Sequence, residues 1–379
     1  MKRLVVLYDG GLLKYASRSA ASARLGHSYD TPPQELAADI RFKGALYDCM
    51  TTILRSKLLN IEQNFAKIDR CIICNDIGNS WRTKVTKTII PGTEQASSID
   101  YKGHRRTDDP EELAGLEKLN AIHKDTVTFI CDNSGIEQVG YQSYEADDFM
   151  VVLSQTYAKQ GDFVVIVAND ADITQAVAST ESGGYVMIMQ PKQGSTNFVV
   201  DHATHNKTSE MSIFSMAEFP IGLAQTINNA QVLAPQYMLL EKVLNGDVSD
   251  DISPVMSRVV NNKRYKLTQK NLQTIFEHFV SKNTCKYFTI ENMYNDEDVL
   301  DILRLTHQCV HKQPFDDLPQ EWKDFYLSKY LENRKMVVIN KTELGPIYND
   351  VLQQAVKQLH GTTPTIAFPT WDVLQKLNM

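Results

Sequence analysis

Short apolar runs, rich in β-branched residues, recur along the first half of the chain at Leu4–Tyr8, Cys71–Cys74, Val127–Cys131, Phe163–Val167 and Tyr185–Met189. Helical patterns separate them, over Ile40–Leu59 and from about Tyr144 to Gln160. A third starts at DDPEEL, where Asp109 can cap, Pro110 suits the first turn, and Glu111 and Glu112 suit its positive end. Strands that are apolar throughout are buried on both faces. Their alternation with helices predicts an α/β fold built on a twisted, mainly parallel sheet. In such a sheet the ligand crevice lies outside the carboxyl ends of the strands.

Acidic residues stand at those ends. Asp9 closes the first run, and Asp76 follows the second. Glu145, Asp147 and Asp148 open the helix after the third, and Asp170 and Asp172 follow the fourth. A further cluster, Asp247, Asp250 and Asp251, lies in NGDVSDDI. Residues spaced i, i+2 on a strand share a face, so Asp170 and Asp172 are expected to repel. At ~4 Å and an effective dielectric of ~20, that repulsion is roughly 4 kcal/mol. One such acid alone is a cap or a solvated strand end. Several converging by topology call for protonation or a cation. Oxygen ligands without paired His or Cys select Mg²⁺ or Mn²⁺, and two such ions can clamp a phosphodiester.

The formal net charge of −7 argues against a protein that coats nucleic acid. The charge is uneven, however. Ser257–Lys286 carries seven basic residues, among them Arg258, Lys263, Arg264, Lys266 and Lys270, against Glu277 alone. Trp81–Arg106 carries six, Arg82, Lys84, Lys87, Lys102, Arg105 and Arg106, against two acids. Local basic zones on an acidic body are what meet phosphate. No segment approaches the ~20 apolar residues of a membrane span. The start MKRLVVLYDGG reads as a strand, and six cysteines without framework spacing suit a reducing, cytoplasmic setting. Cys71 and Cys74 read as core thiols, His202 and His205 as structural, and the terminal WDVLQKLNM as a packed helix.

The motifs YEADD, VVIVANDADITQ and NGDVSDDI resemble the successive motifs of the flap endonuclease-like 5′ nucleases. Asp9 in LYDGG and Asp76 before NSWR match the family's first two aspartates. IDYKGHR is similar to its basic element, and LENRKMVV to its late Asn-Arg segment. The glycine-rich helix-hairpin-helix turn is replaced here by SPVMSRVV, which is closest to the tailed-phage ribonuclease H branch. The resemblance implies a PIN-like fold with a degenerate helix-hairpin-helix. Its activity would be that of a metal-dependent 5′→3′ exonuclease, ribonuclease H and flap endonuclease acting in primer removal during DNA replication. It places Asp9, Asp76, Glu145, Asp147 and Asp170 around a first Mg²⁺, with Asp148 as a further motif acid. Asp172, Asp247 and Asp250 would serve a second ion, often through water. Mn²⁺ can substitute. Asp251 stands where the motif usually has Asn. Lys102 and Arg105 would hold the scissile phosphate, with Arg82 in a lesser role.

The expected organisation is an α/β nuclease domain over 1–234, with a bridge or arch near 82–125, and a helical nucleic-acid-binding domain over 235–379. The implied substrates are RNA–DNA hybrid and duplex DNA with a 5′ end or flap. A single-strand DNA-binding protein or a sliding clamp is the kind of protein partner implied. Two alternatives share the fold: a PIN-type endoribonuclease, and a catalytically silent nucleic-acid-binding protein.

Overall fold

The first strand, β1 (Leu4–Asp9), is buried along its length and is flanked on both sides by parallel neighbours. This is a computed structural model, and it describes residues 3–28, 30–98, 100–105, 107–170, 172–179, 182–192, 195–200, 203–205, 235–260, 263–282, 290–359 and 366. Arg106, Ala171, His202 and the WDVLQKLNM terminus lie outside the described residues, as does the side chain of Arg264.

β2 (Arg70–Cys74), β3 (Glu137–Val139), β4 (Phe163–Val167) and β6 (Tyr185–Lys192) complete a parallel set in the order β3-β2-β1-β4-β6. Antiparallel pairing extends it through β7 (Ser195–Val200) and β8 (Ala203–His205), while β5 (Ala178–Ser179) pairs with β6. The strand order reverses between β1 and β4, which is where open α/β sheets bind ligands. Leu4, Val6 and Tyr8 share a core with Leu13 of α1 (Gly10–Leu25), Met50 and Leu54 of α3 (Phe42–Asn64), and Ile130 of α4 (Pro110–Ser134). α2 (Pro33–Ala38) packs on α4, and α5 (Ala146–Lys159) packs on β1 and β4. Cys71 and Cys74 are buried strand residues, as expected.

The cap predicted at DDPEEL is present. Asp109 accepts from Glu111 N at 2.9 Å, Pro110 is the first helical residue, and Gly135 closes α4 at φ 74°. That helix absorbs Val127–Cys131, which the sequence pattern predicts as a strand. The correction is physical: Thr126, Val127, Ile130 and Ser134 are buried at helical spacing between two strong caps, and this outweighs β-branched composition. The strand is instead the short β3. Asp170 and Asp172 likewise do not extend a strand. β4 ends at Val167, and Asp170 accepts from Asp172 N at 2.8 Å, starting a 3₁₀ turn over Asp172–Ala176.

The chain divides into two compact units. One comprises Met1–Ser80, Thr107–Gln231 and Pro346–Met379; the other comprises Trp81–Arg106 and Val232–Gly345. The first contains the sheet and, from the C-terminal part, α11 (Pro346–Gln358). The second contains α6 (Pro235–Asn245), α7 (Gln269–Lys282), α8 (Asp296–His311), α9 (Gln320–Val337) and α10 (Lys341–Leu344). Its core joins Leu240, Val243, Ile275, Ile302 and Tyr330. An antiparallel hairpin, β9 (Arg258–Val260) and β10 (Lys263–Tyr265), lies between α6 and α7, in the stretch expected to carry a degenerate helix-hairpin-helix. Among the described residues no helix is long and apolar enough to cross a membrane.

Candidate active site

In the sheet unit, two acids at strand ends are also helix caps. Asp9 accepts from Gly11 N at 2.8 Å, and Asp76 accepts from Ala146 N at 2.6 Å. Each carboxylate is thus steered by a helix N-terminus, α1 for Asp9 and α5 for Asp76. The glycines after Asp9 make room for this. A Cβ on Gly10 would come within 2.6 Å of the Cys74 carbonyl. A Cβ on Gly11 would lie 3.1 Å from Asp9 Oδ1 and 3.9 Å from Asp76 Oδ2. The two carboxylates therefore approach a common space that a side chain would fill.

Glu145 is buried and Asp147 half-buried at the start of α5, and Asp170 is exposed beyond β4. Burial pushes the Asp9 carboxyl up to about 6, with the charges of Asp76 and Asp170 adding to it. Asp147 is raised well above the usual range by burial, then by Asp170, Asp9, Glu145 and Asp76. These five acids therefore share one field. Asp148 differs from them. It is fully buried and accepts from Glu145 N at 3.1 Å, which makes it a cap within α5. Among the described residues no group of three or more His, Cys, Asp or Glu is placed to hold a metal ion. The all-oxygen donor set and the space at Gly11 fit a cation that keeps several waters, as Mg²⁺ does.

The helical unit holds the acids of NGDVSDDI, each with a basic partner. Asp247 takes Lys242 Nζ at 2.6 Å and Ser249 N at 2.8 Å. Burial pushes its carboxyl up, but these bonds outweigh burial and hold it below the usual range. Asp250 takes Arg105 at 2.8 Å and the Tyr101 hydroxyl at 3.0 Å, with Lys102 Nζ at 3.9 Å. Burial raises its carboxyl and the two cations oppose the rise. Asp251, at φ 60°, accepts from His104 N and Nδ1. Asn333 fixes this turn from below, donating to Val243 O and Ser253 O at 2.9 Å each.

The predicted basic residues fall into three kinds. Lys84, Lys263, Lys266 and Lys270 are exposed. Lys87 pairs with Asp100 at 3.0 Å, and Lys102 and Arg105 with Asp250. Arg82 corrects its expectation. It is buried, stacked on Trp81 and donating to Met336 O at 2.9 Å, so it packs the fold and offers no open phosphate-binding face.

No protein-family model matches the chain, and no curated protein matches it. Among solved structures it is similar to the T5 D15 protein crystallised with metal ions, at 15% identity and TM-score 0.48. It is also similar to the bacteriophage T5 D15 flap endonuclease in a complex with DNA and metal ions, at 15% identity and TM-score 0.47. A third is the T5 5′-exonuclease with bound zinc, at 16% and 0.45. Each likeness covers 93% of this chain and all of the other.

Three partners were not evident in the sequence. Lys14, five residues after Asp9 on α1, feels the charge of Asp76. Tyr101 sits inside IDYKGHR, and Lys242 precedes Asp247 by five positions. Only Lys242 carried a local signal, a cation one helical turn before an acidic turn.

Proposed function

We propose that this chain is a divalent-metal-dependent 5′ nuclease, cutting phosphodiesters of RNA–DNA hybrids and of duplex DNA with a 5′ end or flap, as in primer removal. The observation that carries this reading is the common space at Gly11 that the carboxylates of Asp9 and Asp76 approach, at the end of β1, beside which the strand order reverses; the charges of Glu145, Asp147 and Asp170 support it. Acids that raise one another's proton affinity gain most from a cation. Bound Mg²⁺, with Mn²⁺ able to stand in, supplies Lewis acidity and a nucleophile at neutral pH.

The chain's own residues do the rest. Asp9 and Asp76 stay oriented through the backbone N–H groups of Gly11 and Ala146. Lys102 and Arg105 hold phosphate and stabilise charge as it develops there. A metal role for Asp247 or Asp250 requires each to exchange its present cation. Asp172 stands in a turn ordered by Asp170 and would act beside it.

The test offers a 5′-labelled RNA–DNA hybrid and a 5′-flap duplex with Mg²⁺, then with EDTA, to the parent and to Asp170→Asn. Metal-dependent short products, lost in the variant, are expected. Intact substrates, or equal cutting in EDTA, would end the nuclease reading.

A further inference from the structure

In the sheet unit, the residue before Glu145 is tied to the last described helix. The Tyr144 hydroxyl donates to Asp350 Oδ2 on α11. Gln354, buried one turn further along α11, donates to Asp350 Oδ1 at 3.1 Å and fixes the carboxylate from its other side. The Tyr144 ring packs edge-on against Phe149 of α5, ring centres 6.2 Å apart, so the side chain is held at its tip and at its ring. α11 itself is seated on α5 and β3, with Tyr348, Val351 and Ala355 buried. At its C-terminal end, Gln358 accepts from Gly140 N at 3.1 Å and donates to Gly140 O at 3.0 Å. The helix thus grips both ends of segment 140–144.

The same segment is also fixed to the loop that carries Asp76. Ser143 N donates to Ile77 O at 2.9 Å, and Gln142 forms a parallel bridge with Ile77. Ser143 has φ 73°. A residue other than glycine persists in the left-handed region only where its surroundings hold it there. This strained turn delivers the start of α5, with Glu145 and with the Ala146 N–H that Asp76 accepts at 2.6 Å. Packing accounts for the apolar face of α11. It does not account for a buried glutamine that orients a carboxylate onto a tyrosine, or for strain kept between two clamps.

We propose that Tyr144, Asp350 and Gln354 are positioning residues of the acidic site. Through them α11 sets the backbone that aims Glu145 and brings the Ala146 N–H to Asp76. This rests on the nuclease reading only for Glu145 and Asp76 as metal ligands.

The experiment measures Mn²⁺ affinity by electron paramagnetic resonance, without nucleic acid, for the parent, Tyr144→Phe, Asp350→Ala and Asp350→Asn, with melting temperatures alongside. Tyr144→Phe and Asp350→Ala are each expected to weaken binding about fivefold, short of the roughly 10- to 100-fold lost with a group bonded to the ligand itself. Asp350→Asn keeps an acceptor for the hydroxyl and should bind like the parent. Leu36→Ala, which opens a cavity at buried Leu36 on α2, is the stability control. It should lower the melting temperature and keep parental affinity. Amide exchange at Ala146 should quicken more in Tyr144→Phe than in Leu36→Ala. Should Tyr144→Phe fail to fold, the two Asp350 variants decide. Parental affinity in folded Tyr144→Phe and Asp350→Ala overturns the proposal. So does a loss in Asp350→Asn equal to that in Asp350→Ala, a matching loss in Leu36→Ala, or a parent that binds no Mn²⁺. Cleavage is scored separately: a parent that binds Mn²⁺ but cuts nothing fails the nuclease reading and leaves the positioning role standing.

Discussion

Arg105 holds Asp250: its guanidinium donates to one carboxylate oxygen at 2.8 Å, while the Tyr101 hydroxyl takes the other at 3.0 Å. With Lys102 at 3.9 Å, three donors surround one anion. A carboxylate here occupies the kind of site that a phosphate oxygen would. Asp250→Asn removes the competing charge and keeps most of the volume. In EDTA, the variant should bind a 5′-phosphorylated oligonucleotide several-fold more tightly than the parent. Unchanged or weaker binding would show that Lys102 and Arg105 do not serve phosphate. The lost charge-assisted bonds should cost about 1–2 kcal/mol of stability, with the half-exposed Arg105 keeping the figure low.

A second outcome concerns pH. The native state keeps the Asp9 proton up to about pH 6, whereas the unfolded chain releases it near 4. Between those values the native state binds more protons, so this group's contribution to stability falls as pH rises. Asp9→Asn removes that loss and can still cap α1, since Asn caps as well as Asp. Without metal, the variant should therefore be more stable than the parent at pH 7.5, by up to roughly 3 kcal/mol. The difference should vanish below pH 4, and Mg²⁺ should raise the parent's melting temperature more at pH 7.5 than at pH 5. Denaturant titrations at the two pH values check this. A variant less stable at pH 7.5 would contradict the shared acidic field.

The sequence makes the acids legible because each sits beside a local signal, a β-branched run followed by Asp or a helix start. The cap at Asp109 and Pro110 is legible for the same reason. Val127–Cys131 is not, because a five-residue apolar run fits a strand or a helix face equally, and the deciding caps lie far from it. The pairing of Asp250 with Arg105 is illegible in principle, since 145 residues separate the partners. Arg82 looks like every other cation in its segment; its burial, its stacking on Trp81 and its hydrogen bond to Met336 O distinguish it.

The LENRK segment carries a third prediction. Lys329 is fully buried and pairs with Glu332 at 2.7 Å, and Glu332 also accepts from Ser98 Oγ at 2.7 Å and Thr88 N at 2.6 Å. Lys329→Met leaves a buried carboxylate without its cation and should cost about 3–5 kcal/mol. Lys329→Met combined with Glu332→Leu removes both charges but strands the Thr88 N–H. It should recover part of that loss and not all of it. Chemical denaturation of the two variants measures the ranking. A double variant less stable than the single would mean that the carboxylate's bonds to Ser98 and Thr88 outweigh its desolvation.

Gly246 opens the acidic turn at φ 69°, where an added Cβ would lie 2.1 Å from the Ile252 carbonyl oxygen. Both facts oppose any side chain, and the clash is with backbone that cannot rotate away. The turn also depends on this glycine for its own bonds, since Asp247 N donates to Ile252 O at 2.9 Å and Ile252 N to Asp247 O at 2.8 Å. Gly26, which closes α1, is the control. It too has positive φ, 83°, and lies in the left-handed region, but nothing lies within 4 Å of its Cβ position. Gly26→Ala should cost only the left-handed backbone, about 1–2 kcal/mol. Gly246→Ala should cost clearly more and loosen the Arg105–Asp250 pair with the turn. Amide exchange at Asp247 and Ile252, with melting temperature, reports both effects. Equal losses for the two glycines would show that the turn relaxes around a methyl group, and that its geometry is not what holds Asp250 in place.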